Sequence, residues 1–214
     1  MSQHTLTLLR FTYKKLKVKL TVSDSKKLFH EQFPYVIPGL YKRIVDEMLV
    51  ELNLLNHQKE FKQDLLFCIG LTETFKELTK GYKPEKHLDN LFASLCSSTN
   101  FEANEIREIS KNSQKEFNDK SSKDVLKLFK EKSNPKLYPS RILNLGIYIL
   151  ISNSKDFNEK NESEMITNVF EELKLITNKA EKDIGIYKST ISKMEQAKEL
   201  IDELRIKDKK NNKK

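Results

Sequence analysis

A chain of 214 residues, 33% charged and 37% hydrophobic, is long enough for one folded core but leaves much of its length to exposed surface. Five glycines and five prolines are too few for the many turns of a sandwich or barrel, so helices joined by short polar loops are expected. The net charge of +8 sits at the ends: residues 1–22 carry five bases and no acid, residues 205–214 carry six bases and Asp208, and the stretch between holds −2. A folded nucleic-acid reader keeps its basic patch on the body. This distribution argues against specific nucleic-acid binding and leaves the two ends a non-specific attraction to anionic surfaces.

Residues 1–21 are a basic leader. Leu9, Tyr13, Leu16 and Leu20 fit a helical stripe and KLKVKL alternates like a strand, so a disordered leader is preferred to an amphipathic helix lying on a membrane. Its bases follow its apolar residues, the reverse of a secretory signal. A first helix is expected from Ser23 or Asp24 to about Phe33, capped by Ser23 without a full capping box, and stopped by Pro34 and Pro38. The second runs from about Gly39 to Asn56. The third spans about Leu65–Lys80 and ends at Gly81. The fourth spans about Glu85–Ser97 behind Pro84, and the fifth runs from a cap at Asn100 to about Phe117. The sixth covers about Ser122–Lys132. The seventh, SRILNLGIYILI, is apolar on nearly all sides and therefore buried. A polar loop, SNSKDFNEKNESE, follows.

The pattern predicts an all-α fold: a bundle of about seven short helices over 22–162, a C-terminal helical region over 163–209, and a basic tail over 210–214. The C-terminal region carries a heptad seam. Positions 166, 170, 173, 177, 180, 184, 187, 191, 194, 198, 201 and 205 alternate steps of four and three, and nine of these twelve are apolar. Asn178 with Glu181 three residues on is a cap arrangement, so a break is expected near 177–178, followed by a helix of about 30 residues, roughly 45 Å long. Ile184, Tyr187, Ile191 and Met194 form the stripe best suited to meet another helix. Two uses are open to it: packing along its own bundle, or projecting as an arm that binds another chain or a second copy.

The second helix raises a different question. Lys42, Arg43, Asp46, Glu47 and Glu51 gather on one side of LYKRIVDEMLVELNLL. Carboxylates at one-turn spacing are how some bundles hold metals, but those sites pair Glu with Glu-x-x-His, which occurs nowhere in this chain. Lys42–Asp46 and Arg43–Glu47 stand four apart, so the group reads as an ion-paired polar stripe on a central helix. Cys68 and Cys96 lie in apolar helical patterns and lack zinc spacing, so they are expected to be buried free thiols of a reducing compartment. The five glycines are isolated, and neither a phosphate loop nor a nucleophile motif appears. No catalytic residue, cofactor or metal is expected from this pattern; a helical enzyme and, less favoured than a membrane tether, a helical nucleic-acid-binding protein stay as alternatives.

TVSDSKKLFHEQFPYVIPGLYKRIVDEMLVELNLL, LFCIGLTETFKELTKGYKPEKHLDNLFASLCSS, YPSRILNLGIYILI and EKDIGIYKSTISKMEQAKELIDE together resemble the thylakoid formation protein family of cyanobacteria and plastids, over about Val22–Glu203. The resemblance implies an all-helical, non-enzymatic factor of thylakoid organisation and photosystem II assembly or repair. It implies association with membrane-bound FtsH-type proteases and a place in the cyanobacterial cytoplasm, peripheral to the thylakoid membrane. Peripheral tethering of the membrane surface through the basic ends is the alternative. Residues 1–20 precede the resembling region, and Asn53 stands where many relatives have His.

Overall fold

The computed structural model describes residues 19–132 and 138–211, with no account of the side chains of 202 and 205–211. Among the described residues the chain is all helical. We number the α-helices α1 (Val22–Gln32), α2 (Gly39–His57), α3 (Leu65–Leu78), α4 (Leu88–Ser97), α5 (Ala103–Phe117), α6 (Ser122–Lys132), α7 (Arg141–Ser152), α8 (Glu162–Glu172) and α9 (Thr177–Asn211). Short 3₁₀ turns at Glu85–His87 and Glu159–Asn161 lead into α4 and α8. The expected leader lies outside the described residues up to position 18, as does the tail from 212.

The centre is a crossing of α3 and α7, with α5 against the other side of α3. Gly70 and Gly146 make that crossing close. A Cβ on Gly70 would fall 2.1 Å from the Ile142 carbonyl oxygen, and one on Gly146 would fall 2.2 Å from that of Leu66. Backbone meets backbone here, which only glycine permits at this distance. Cys68, Ile69 and Leu71 on α3 and Leu143, Leu145 and Ile147 on α7 surround the contact, all buried. One cluster of buried side chains extends from Phe29 on α1 to Met194 on α9.

The helix ends show where local chemistry differs from the sequence reading. Thr21, not Ser23, caps α1. Its hydroxyl accepts from the Asp24 N–H (3.1 Å) while the Asp24 carboxylate accepts from the Thr21 N–H (3.0 Å), so a full capping box, not expected at Ser23, is present with Thr21 as the cap. Asn100 does not open α5. It sits at φ 63° and closes α4, with the Phe101 N–H donating back to the Cys96 carbonyl (2.9 Å). Asn tolerates the left-handed conformation that such a helix stop requires. The break expected near 177–178 comes earlier. Lys174 takes φ 56°, Leu175 N–H reaches the Phe170 carbonyl (2.9 Å) and Lys174 N–H that of Glu171 (2.9 Å), a Schellman closure of α8. Helix α9 therefore starts at Thr177 and runs 35 residues, about 52 Å.

Candidate functional site

The polar stripe of α2 is a set of inter-helix ties. Asp46 pairs with Lys26 of α1 (3.4 Å) rather than with Lys42, correcting the expected i,i+4 pair. Arg43 does pair with Glu47 (2.8 Å). Glu51, largely buried, is fully engaged. One oxygen accepts from two nitrogens of Arg141 (2.6 and 2.8 Å), and the other accepts from the Ile142 backbone N–H (3.2 Å). Glu51 thus binds the first turn of α7, where a carboxylate also meets the positive end of the helix dipole. Burial pushes the Glu51 carboxyl upward, and the Arg141 guanidinium opposes that shift. Asn53, 2% exposed, donates to the Leu20 carbonyl and the Ser25 hydroxyl, both at 2.8 Å, and so holds α1 on α2. The sequence reading found the stripe but not these anchoring contacts, because Arg141 lies on α7 and the groups that Asn53 binds, Leu20 and Ser25, lie before and on α1.

The seam residues separate by depth. Ile184, Tyr187 and Met194 are buried and Ile191 packs against the same cluster. The stripe covers the protein's own core, the first of the two uses open to it, and an apolar face spent there is not free for a second helix. Asp183, one residue before, accepts a hydrogen bond from the buried Asn144 of α7 (2.8 Å), fixing the register of α9 on the body. Burial together with Glu77 and Tyr148 pushes the Tyr187 phenol upward. A cleft of about 680 Å³ lies beside Tyr187, lined by Glu73 and Glu77 of α3, Tyr148 of α7, and Lys188 and Glu195 of α9. Lys188 pairs there with Glu162 and stands 5.6 Å above the Tyr148 ring.

Beyond Met194 no described side chain of α9 is buried. Lys198 still touches the body beside Gly81, and past it Leu200 (58% exposed), Ile201 and Leu204 (52%) face solvent. Three large apolar residues within five positions, on a helix already anchored by its first half, make an exposed patch of the kind that marks an interaction site. Sequence periodicity ran through it without distinguishing it from the buried half. Both thiols are buried, and burial pushes Cys68 and Cys96 each up to about 12, so neither is poised for nucleophilic chemistry. No group of three or more metal-ligating side chains is found among the described residues.

A family model described as thylakoid formation protein matches residues 21–214. The chain belongs to that family. A Thf1 protein of Prochlorococcus marinus strain MIT 9312 is 83% identical over 198 residues, covering 91% of this chain and 98% of that one. Another, from the pastoris strain MED4, is 67% identical over 202 residues, covering 93% and 100%. A solved structure of Psb29 superposes with a TM-score of 0.82 at 25% identity, over 91% of this chain and 100% of that one. Family membership establishes the all-helical fold and a role in thylakoid formation and photosystem II biogenesis. Among the described residues no helix is long and apolar enough to cross a membrane.

Proposed function

We propose that this protein is a non-catalytic adaptor for photosystem II assembly and repair, peripheral to the cytoplasmic face of the thylakoid, which stabilises a membrane-bound FtsH-type protease. The observation that carries this reading is the division of α9. Its first half is committed to the core, and its distal part extends past the body with Leu200, Ile201 and Leu204 uncovered. The contact then belongs to these residues rather than to Ile184, Tyr187, Ile191 and Met194. Replacing Leu200 and Leu204 with Glu puts charge into that surface without touching the core. Recovery of the protease with tagged protein from detergent-solubilised thylakoids should fall at least tenfold while helix content stays constant. Wild-type recovery would sink the reading.

A second reading has one specific observation behind it. Past Lys198 the sequence is acidic at 199, 202 and 203 and, apart from Asp208, basic at 205, 207, 209 and 210, so two antiparallel copies would match opposite charges. Sedimentation of the intact chain tests it, with a salt-sensitive dimer as the expected sign.

A further inference from the structure

One end of the molecule holds apolar side chains out in water without an evident folding role. Between α1 and α2 the segment from Pro34 to Pro38 makes a tight loop. Val36 is 91% exposed there and Tyr35 43% exposed. The loop is braced. The Tyr35 ring stacks on His87 at 3.8 Å, the buried Phe33 ring meets Tyr35 edge-on at 5.3 Å, and a proline stands on either side. Ordering of this tip is therefore complete before anything binds it.

The surroundings are cationic. Lys42 and Arg43 follow in the first turns of α2, and both are exposed. Tyr41 next to them donates to the Lys80 carbonyl (3.3 Å) and lies 5.1 Å from the Tyr82 ring, which brings the Lys80–Lys83 turn to the same end. Lys86 precedes the His87 that carries Tyr35. Glu85 is paired with Lys83 and Glu47 with Arg43, whereas Lys42, Lys80 and Lys86 make no ion pair among the described residues. Helix α9 leaves the body at this end too, since Lys198 lies over Gly81.

We propose that the Tyr35–Val36 tip and its ring of lysines dock this end on an anionic lipid surface. The inference rests on the reading above that the protein works at a membrane, and it assigns the contact to the folded body rather than to the basic chain ends. An apolar tip of two residues is far too small for a stable protein interface. It suits the headgroup boundary, where a tyrosine ring sits with its hydroxyl wet and long lysine stems reach lipid phosphates. Docked this way, the overhang of α9 starts at the membrane and is presented to a membrane-bound partner.

The chain contains no tryptophan, so Val36→Trp places a single reporter at the tip. The full chain is mixed with phosphatidylcholine vesicles with or without phosphatidylglycerol. With phosphatidylglycerol the emission should shift to the blue and be quenched by spin-labelled lipid. Without it, neither should occur. Leu54→Trp, exposed further along α2, should report no change. Lys80→Gln and Lys86→Gln should each weaken flotation roughly fivefold. Unshifted Val36→Trp emission overturns the assignment even if the protein floats, because the chain ends then do the binding. Protease recovery in detergent reads the adaptor role separately. Wild-type recovery by Val36→Trp is expected, and its loss would give the loop to a protein contact and overturn the lipid assignment.

Discussion

The α3–α7 crossing and the distal part of α9 are both helical and both rich in large apolar residues, yet they have opposite fates. At the crossing, Gly70 and Gly146 let two backbones touch, and every neighbouring apolar side chain is buried. On α9, past Lys198, Leu200, Ile201 and Leu204 remain 58%, 38% and 52% exposed. The difference lies in whether a second element reaches the face, not in hydrophobic content. Burial of a Leu or Ile is worth about 1.5–3 kcal/mol, so the first region sets stability while the second leaves the same free energy available to a partner.

Substitutions break this comparison in a graded way. Gly70→Ala or Gly146→Ala should have the largest effect, because the added methyl meets a carbonyl oxygen at about 2 Å and the helices must separate. A loss of about 3 kcal/mol is expected, seen as a fall in Tm of about 10 °C. Ile184→Ala, in the proximal half of α9, should cost about 2–3 kcal/mol by the cavity it leaves, read from the urea midpoint. Arg141→Met should cost about 2 kcal/mol near neutral pH by leaving the largely buried Glu51 charge without its partner. The sign of its pH dependence follows from Glu51. Its carboxyl is already raised by burial, and losing the guanidinium raises it further. The carboxyl is protonated as pH falls, so the deficit of the variant should shrink toward acid. A deficit that grew toward acid would contradict this role for Glu51. Leu200→Glu with Leu204→Glu should shift Tm by no more than the equivalent of about 0.5 kcal/mol, the smallest effect of the set.

Much of the fold was legible in the sequence because helix periodicity and terminators coincide. Pro34, Pro38, Pro84 and Gly81 punctuate the chain where the structure turns, and α2, α6 and α7 fall within a residue or two of their predicted ends. Lys174 hid the end of α8, since lysine at φ 56° carries no signal of the kind glycine gives. Asn100 gave a signal with two meanings, cap or left-handed stop, and local sequence does not choose between them. The glycines at 70 and 146 looked isolated in sequence because the contact that requires them joins α3 to α7. The same limit applied to the candidate site. The seam read as uniform from Ile166 to Ile201, because periodicity records which face of a helix is apolar and not how far the body extends beneath it. Glu51 was found as part of a stripe, whereas its real partners, Arg141 and the Ile142 N–H, lie some 90 positions away.

The division of α9 is the central claim, and amide hydrogen exchange along that helix tests it most directly. In the free protein, amides through Met194 should open only with the global fold, while those beyond Lys198 should exchange much faster. Adding the detergent-solubilised FtsH-type protease should protect the distal amides and leave the proximal ones unchanged. Uniform protection along α9 in the free protein, or protease-induced changes confined to the segment before Met194, would contradict the account.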